Sequence, residues 1–253
     1  MAADGWTAWL SLPGPLQNTA PGGTLPGLAP AGGRPAAAKP VLVTGGAGFI
    51  GSHTAAALLA RGDRVVVLDR DLAGRGVKAE NLEAVTRAVR SAGQLEVVDV
   101  DLADPAGAAR ALSGLAAAKV IHLAAKTGVA ESLADPLGFV DVNLRGSELL
   151  LQHARESGAT AFLYASSGGV YGGVSGGVNG DRALQSAALA EDDPADRQRS
   201  VYSWSKRSLE LLAEVHRSLH GLQTVGLRYF SVYGPRGRRD MVRPRPFRFL
   251  PPC

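Results

Sequence analysis

The stretch VLVTGGAGFIGSHTAAALLARGDRVVVLD, residues 41–69, decides the fold. It begins with a short apolar run of mostly β-branched side chains at 41–43, which favours a buried strand. A glycine-rich turn follows, then an alanine- and leucine-rich run at 54–60, then a second apolar strand at 65–68 that closes on Asp69. The order of strand, glycine turn, helix, strand and acid is that of one βαβ unit.

Three glycines in this turn indicate what the unit binds. Gly45, Gly48 and Gly51 suit a tight turn, the approach of a diphosphate to bare backbone, and close packing of helix on sheet. The helix N-terminus would then offer free N–H groups and a positive dipole end to the diphosphate. Asp69 can accept both hydroxyls of an adenosine ribose. The stretch therefore predicts dinucleotide binding, with an ordinary tight turn as the alternative.

The composition fits a soluble globular protein, with 45% hydrophobic and 20% charged residues in a chain of 253. The formal charge is +4, but residues 236–248 hold six arginines and one aspartate, a local +5, so the rest sums to −1. Aromatic residues do not interleave with basic ones in the body of the chain. Nucleic-acid binding is therefore not expected.

The single cysteine, Cys253, excludes an internal disulfide and a cysteine-based metal site, and we predict no metal. No run of 18 apolar residues occurs, so no membrane span is predicted. Residues 1–39 are rich in Pro, Gly and Ala and predict a disordered leader. We expect a cytoplasmic protein, with a targeting role of this leader as the open alternative.

The rest of the chain continues the alternation of strands and helices. Further strands are predicted at 95–100, 119–123, 161–165 and 224–230, and helices at 81–91, 137–156 and 202–219. The loop at 173–199 is long and glycine-rich, as functional or disordered loops are. This pattern predicts an α/β fold with an open, doubly wound parallel sheet and helices on both faces.

Polar and small residues at strand ends extend the predicted crevice. Asp101 follows the third strand, at the edge where the adenine would lie, whereas Asp104 fits the crevice and a helix N-cap equally well. Ala124 and Ala125 follow the fourth strand and would let a flat ring pass close to the backbone. His122 is interpreted as a strand residue rather than a catalyst.

The predicted helix at 137–156 places Asn143 among apolar side chains. A buried amide needs partners, and either a backbone carbonyl or a catalytic lysine would serve.

Tyr202 and Lys206 lie four residues apart on a predicted helix, so both project from one face. We expect the lysine ammonium to lower the tyrosine pKa toward neutrality, and an oxidised nicotinamide to act in the same direction. Tyr202 could then take a proton from a substrate hydroxyl while the carbon beneath gives hydride to the cofactor. Ser167, at the end of the fifth strand, could hydrogen-bond the same oxygen. The spacing alone is more typical of surface residues, and the prediction rests on the joint pattern.

Taken together, these motifs resemble the extended short-chain dehydrogenase/reductases, specifically the NAD-dependent epimerase/dehydratases. The resemblance covers residues 40 to 241 and rests on the segments 44–51, 122–125, 167–172, 202–206 and 227–230. Within the family, residues 226–241, GLRYFSVYGPRGRRDM, look most like the UDP-glucuronate 4-epimerases.

The resemblance implies a Rossmann domain at 40–241 with Ser167 and Tyr202 as the acid/base pair and Lys206 as ribose anchor. It implies an NAD site formed by Gly45, Gly48, Phe49, Ile50, Gly51, Asp69, Asp101, Leu102, Ala124, Ala125, Asn143, Tyr202 and Lys206. NAD is expected over NADP because the carboxylate of Asp69 would repel a 2′-phosphate, although Arg70 lies beside it. The expected partner is a nucleotide sugar, a UDP-hexuronate. Related enzymes often form homodimers through two helices of this domain, so a homodimer is also expected.

The chain departs from the family after Met241. Residues 242–253 are basic and contain four prolines, so we expect an irregular tail, a truncated or misread gene end, and a C-terminal substrate domain that is largely missing. The predicted function is C4 epimerisation of UDP-glucuronate through a 4-keto intermediate. The alternatives are a truncated, inactive NAD-binding module and a nucleotide-sugar dehydratase. Dehydratases carry acidic residues just after the catalytic hydroxyl, where this chain has Gly168 and Gly169.

Overall fold

The computed structural model describes residues 39–73, 76–172 and 189–237. The predicted leader, apart from Lys39, and the predicted tail at 242–253 lie outside the described residues. So does most of the long loop at 173–199, of which only residues from 189 onward are described.

The described strands form a single parallel sheet of six, in the order β3-β2-β1-β4-β5-β6. They are β1 (Val41–Thr44), β2 (Val65–Asp69), β3 (Leu95–Asp99), β4 (Lys119–His122), β5 (Phe162–Ser167) and β6 (Thr224–Tyr229). The order reverses between β1 and β4, which confirms the predicted doubly wound sheet. At such a switch point the strand ends leave a crevice that can accept a ligand.

Helices connect the strands and cover both faces of the sheet. They are α1 (Phe49–Arg61), α2 (Val77–Thr86), α3 (Pro105–Leu112), α4 (Val129–Ala134), α5 (Pro136–Val140), α6 (Gly146–Glu156) and α7 (Val201–His220). Helix α3 begins at the N-cap Asp104, whose side chain accepts a hydrogen bond from the Ala106 N–H, so the N-cap interpretation of this aspartate is correct.

The central strands are apolar on both sides because each face is covered by helices. Val41 and Val43 pack with Leu58 and Leu59 of α1 on one face. Leu42, between the two valines, belongs to the core on the opposite face, which is formed with α3, α6 and α7. The period of two in β1 therefore supplies both cores, and it fixes α1 and α7 on opposite sides of the sheet.

The second helix is displaced from its prediction at 81–91. It begins at Val77 and ends at Thr86. Beyond its end, a buried side chain accepts the backbone hydrogen bonds that a longer helix would make internally. Gln94 accepts hydrogen bonds from the N–H groups of Arg90 and Ser91 at 2.8 and 3.3 Å, and its amide donates to the Leu59 carbonyl at 2.6 Å. A turn stabilised by Gln94 thus replaces the last predicted helical turn.

The predicted single helix at 137–156 is interrupted. Helix α5 runs into a π-helical turn at Asp141–Arg145, and α6 continues from there. In the π turn the N–H of Gly146 bonds to the carbonyl of Asp141, five residues back. The wider turn carries Asn143, which is 1% exposed.

A buried polar chain crosses the interior from β1 to this π turn. The Ser147 hydroxyl donates to the Asn143 carbonyl at 2.6 Å, so His122 must donate to Ser147 through Nε2, at 2.8 Å. His122 Nδ1 then accepts from the hydroxyl of Thr44 at 2.7 Å. The interpretation of His122 as a strand residue is confirmed, and its neutral ring connects the hydroxyl of Thr44 to that of Ser147.

Among the described residues, no helix combines the length and apolar character needed to cross a membrane. The same residues contain no group of three or more His, Cys, Asp or Glu side chains arranged to hold a metal ion.

We predict that His122 makes the fold sensitive to acid. Burial, and then the charge of Lys206, lower the pKa of His122 from 6.5 to about 3. Between these values the unfolded chain binds a proton that the folded chain does not, so unfolding free energy falls by about 1.4 kcal/mol per pH unit of acidification. Urea unfolding of His122→Gln from pH 7 to pH 4 should show a flatter dependence than the parent chain. His220→Gln, at an exposed site on α7, is the control, and equal slopes in all three would contradict the prediction.

Candidate active site

The glycine turn between β1 and α1 is closed by backbone contacts that leave no room for side chains. Gly45 has a φ of +69°, and a Cβ there would lie 2.7 Å from the backbone nitrogen of Ala124. A Cβ on Gly51 would lie 2.0 Å from the carbonyl oxygen of Gly45. These contacts hold the start of α1 directly against the ends of β1 and β4.

The N-terminus of α1 has the features that a diphosphate needs. Its N-cap, Gly48, makes no side-chain capping bond, and the first turn contains no acidic residue. The N–H groups at the start of a helix have no intrahelical acceptor, which makes those of Phe49 and Ile50 candidate donors to a ligand. By contrast, α3, α5 and α7 are all capped by side chains. Helices α2, α4 and α6 also lack a side-chain cap, so the cofactor prediction agrees with the uncapped start of α1 together with its glycine turn.

Asp69 lies at the end of β2, where the prediction places it, but its carboxylate has protein partners. Oδ2 accepts from the Ala47 N–H at 2.9 Å, and Oδ1 accepts from the Arg70 N–H at 2.8 Å. Lys78, on α2, contacts Oδ1 at 2.8 Å and also donates to the Arg70 carbonyl. Lys78 was missed by sequence reasoning because no pattern signals that α2 returns to the end of β2.

The next predicted residues divide between the crevice and the core. Asp101 pairs with the Arg70 guanidinium at 2.9 Å. Burial raises the pKa of Asp101, but hydrogen bonds from the Ala103 N–H and from Arg70 outweigh it, so the net shift is downward. Leu102 is 4% exposed and its side chain belongs to the core cluster with α3 and α6.

Ala124 follows β4 at the switch point of the sheet, and its N–H donates to the Thr44 hydroxyl. After Ala125, the backbone of Lys126 is bound on both sides by the buried amide of Asn143. The amide oxygen accepts from the Lys126 N–H at 2.8 Å, and the amide nitrogen donates to the Lys126 carbonyl at 3.0 Å. The partner of Asn143 is thus backbone, one of the two partners considered from the sequence.

The Asn143 amide also reaches the helix that carries the predicted catalytic pair. Its nitrogen donates to the hydroxyl of Ser205 at 3.0 Å, and Ser205 donates to the Tyr202 carbonyl. Ser205 lies between Tyr202 and Lys206 in sequence, and its role was not found from the pattern.

The predicted catalytic side chains meet at the end of β5. Tyr202, in the first turn of α7, lies close enough to Ser167, the last residue of β5, for the Ser167 hydroxyl to lower the pKa of the phenol. The ring of Tyr202 also meets the buried Phe139 ring edge to face, with centroids 6.2 Å apart. Lys206, one turn further along α7, is 3% exposed and donates to the carbonyl of Ala165 at 2.8 Å.

The predicted effect of Lys206 on Tyr202 is wrong in this structure. Burial raises the pKa of Tyr202, and only the Ser167 hydroxyl acts in the opposite direction. The ammonium of Lys206 is bound to the Ala165 carbonyl instead, and burial lowers the pKa of Lys206 to about 8. A tyrosine and a lysine four residues apart share a helix face, but spacing does not determine which acceptor the lysine binds.

Comparison with known proteins identifies the family. Residues 41–250 match the model of the NAD-dependent epimerase/dehydratase family. The chain belongs to the NAD-dependent epimerase/dehydratase family. NAD is the cofactor of this family, which confirms the cofactor prediction at the family level, and the resemblance found from the motifs is correct.

Individual relatives in this family are similar over most of the chain. UDP-glucuronate 4-epimerase 1 of Arabidopsis thaliana is 36% identical over 203 residues, which are 80% of this chain and 44% of the plant protein. The UDP-glucose 4-epimerase of Thermus thermophilus, solved with NAD, is 38% identical with a TM-score of 0.64, covering 78% of this chain and 57% of its own. The UDP-glucuronic acid 4-epimerase of Bacillus cereus, solved with UDP-glucuronic acid and NAD, is 31% identical with a TM-score of 0.65, covering 79% and 59%. The chain thus spans about half the length of these family members.

We predict that replacing Lys206 by methionine stabilises the fold at neutral pH. Lowering the lysine pKa from 10.5 to about 8 means that its charge costs the folded state about 3 kcal/mol below pH 8, against about 1 kcal/mol gained from the Ala165 bond. The unfolded chain binds more protons between pH 8 and 10.5, so the stability of the parent chain rises over that range and the difference between the two proteins shrinks.

Urea unfolding at pH 7, 8, 9 and 10 measures this difference. Lys39→Met is the control, because Lys39 also donates to a backbone carbonyl, that of Ser157, but from an exposed position. A difference between Lys206→Met and the parent chain that stays constant from pH 7 to 10 would show that burial does not shift the lysine.

Proposed function

We propose that this chain carries the NAD-binding and catalytic half of a nucleotide-sugar 4-epimerase that acts on UDP-glucuronate. The observation that carries the proposal is the placement of Tyr202 next to Ser167 at the carboxyl end of β5, on the same edge of the sheet as the uncapped glycine turn. A proton-transferring hydroxyl pair beside a dinucleotide site is the arrangement that oxidation and reduction of a sugar carbon requires.

The residues present fit NAD at each part of the crevice. The first turn of α1, with Gly48, would receive the diphosphate, and Asp69 would receive the adenosine ribose. Lys206 would anchor the second ribose, and Ala124 leaves space beside the backbone at the switch point. When bound, NAD would supply a hydride acceptor and a positive charge next to Tyr202.

Tyr202 would accept the proton of the sugar 4-hydroxyl while C4 is oxidised, and would return it once C4 is reduced on its other face. Ser167 would hydrogen-bond the same oxygen and, in the protein, already favours the ionised form of Tyr202. The remaining cost of ionising Tyr202 comes from burial. Catalysis near neutral pH therefore needs a positive charge close to the phenol. In this structure the ammonium of Lys206 does not serve, because it donates to the carbonyl of Ala165.

The identity of the sugar is inferred from the relatives. UDP-glucuronate 4-epimerases share 36% identity with this chain, and residues 226–241 resemble that group specifically. A solved relative of similar identity acts on UDP-glucose, so we test both sugars.

Gly168 and Gly169 argue against the dehydratase alternative. A Cβ on Gly168 would lie 2.9 Å from the ring of Phe230, and one on Gly169 would lie 3.3 Å from the Ser167 hydroxyl oxygen. An acidic side chain at Gly168 would therefore require the Phe230 ring to move, and one at Gly169 would crowd the Ser167 hydroxyl. The second alternative, an NAD-binding module without activity, is distinguished from the epimerase by the turnover measurement that follows.

We expect the purified chain, with NAD and UDP-glucuronate, to form the C4 epimer, detected by separation of the two UDP-sugars. Tyr202→Phe should lower turnover by about 100-fold or more, because it removes the group that transfers the proton. Tyr233→Phe is the matched control, since Tyr233 is 87% exposed. Undiminished turnover in Tyr202→Phe would refute the mechanism, and calorimetric binding of NAD without formation of an epimer from either sugar would favour the inactive module.

We also expect NAD to bind more tightly than NADP because of the Asp69 carboxylate. Asp69→Asn should reduce the preference about tenfold, since it removes the charge that repels a 2′-phosphate. Asp71→Asn makes the same chemical change two residues away, at an exposed side chain, and should leave the preference intact. Calorimetry with both cofactors measures the ratio, and comparable affinities in the parent chain would contradict the assignment.

A further inference from the structure

One face of α7 contacts the end of β5 in three successive helical turns. Tyr202, Lys206 and Glu210 follow one another at intervals of four, so they line the same side of the helix. Tyr202 lies next to Ser167, and Lys206 donates to the carbonyl of Ala165. The first two contacts belong to the proposed active site, whereas the third residue, Glu210, lies one turn beyond it.

Glu210 continues this series because it contacts Ser166, which lies between Ala165 and Ser167 at the end of β5. The hydroxyl of Ser166 donates to Glu210 Oε1 at 2.5 Å. Arg228, on β6, binds the same carboxylate with two parallel bonds, Nε to Oε1 at 2.9 Å and an Nη2 bond to Oε2 at 3.0 Å. Arg207 adds a bond to Oε2 at 2.8 Å. Burial raises the pKa of Glu210, but these hydrogen bonds outweigh it and the net shift is downward, so the carboxylate is charged at neutral pH.

The other end of the Arg228 guanidinium holds the chain that follows Ser167. Arg228 Nη1 donates to the hydroxyl of Tyr171 at 2.8 Å and to the carbonyl of Glu191 at 2.9 Å, and Arg228 Cζ lies 4.7 Å from the centroid of the Tyr171 ring. Tyr171 ends the 3₁₀ turn that begins directly after Ser167. The Glu210–Arg228 pair therefore holds the backbone on both sides of Ser167, through Ser166 before it and Tyr171 after it.

We propose that Glu210 and Arg228 are positioning residues that set the register of α7 against β5 and thereby keep Tyr202 in place next to Ser167. The importance of this placement rests on the proposed function, but its dependence on the pair does not. The pair touches neither the proposed substrate oxygen nor the cofactor residues. The side chains of Glu210 and Arg228 are 10% and 17% exposed, so water cannot readily replace either partner.

A positioning role differs from a purely stabilising role in what it changes at Tyr202. Loss of one partner from a buried ion pair destabilises the fold in either case, so melting temperature cannot separate the two. The protonation state of the Tyr202 phenol can separate the positioning role from the stabilising role. The neighbouring Ser167 hydroxyl lowers the pKa of Tyr202 against the effect of burial, so displacement of Tyr202 from Ser167 should raise that pKa.

The experiment uses the whole chain labelled with ¹³C at the tyrosine ζ carbon, which gives five signals. Loss of a signal in Tyr202→Phe assigns Tyr202. In Glu210→Gln the Tyr202 signal should move at neutral pH, and its titration midpoint should rise by about one pH unit, the order expected for one lost hydrogen bond to an ionised oxygen. The titration extends only to the highest pH at which circular dichroism shows the native fold.

Glu214→Gln is the matched control. Glu214 lies one turn further along α7 and also binds an arginine with two bonds, to Arg217, but this pair is exposed. The control should leave the Tyr202 signal unchanged. A Tyr202 signal in Glu210→Gln that matches that of Glu214→Gln in both shift and midpoint would overturn the proposal.

A milder variant decides the question if Glu210→Gln does not fold. Ser166→Ala removes the hydroxyl that connects Glu210 to β5 and leaves the ion pair in place. Movement of the Tyr202 signal supports the proposal, and an unchanged signal overturns it. Because the readout needs no turnover, a chain that forms no epimer still gives a result, and failure of the proposed function remains distinct from failure of this inference.

Discussion

The close approach of α1 to the ends of β1 and β4 is the constraint on which the crevice depends. Gly51 meets the carbonyl oxygen of Gly45, and Gly45 meets the backbone of Ala124, at distances that no Cβ could occupy. Three elements from different parts of the chain therefore converge on bare backbone. This contact brings the positive end of the α1 dipole to the switch point of the sheet, where the β-strand order reverses.

Buried polar groups extend this constraint from the glycine turn to the catalytic helix. The chain runs from Thr44 through His122 and Ser147 to Asn143, whose amide reaches Ser205 on α7. Each group donates or accepts toward the next, so none is left unsatisfied in the low-dielectric interior. Directional hydrogen bonds thus connect the proposed cofactor site to the proposed catalytic pair on the other side of the crevice. Apolar packing alone would not fix the position of one side relative to the other.

The sequence was informative wherever one local pattern determines the outcome. The glycines at 45, 48 and 51, with apolar runs on both sides, predicted the βαβ unit, and the spacing of Tyr202 and Lys206 predicted a shared helix face. It failed where the outcome depends on a partner from a distant part of the chain. The backbone beyond α2 bonds to the side chain of Gln94, and the Ala165 carbonyl, not Tyr202, received the charge of Lys206. Lys78 and Ser205 were missed for the same reason, since helix periodicity says which residues share a face and not what that face meets.

The π-helical turn at 141–145 makes the length of this helical segment as important as its composition. The turn holds one residue more than an α-helical turn, so the helix after it keeps the phase of a regular helix that is one residue shorter. Removal of one residue within 141–145 would restore a regular turn and leave Leu150 and Leu151, which are fully buried, facing the core. The loss would fall on Asn143, whose position against the backbone of Lys126 depends on the wider turn. A codon deletion in this turn should therefore damage the crevice more than the core, whereas a deletion between 146 and 149 would rotate the buried leucines by about 100°.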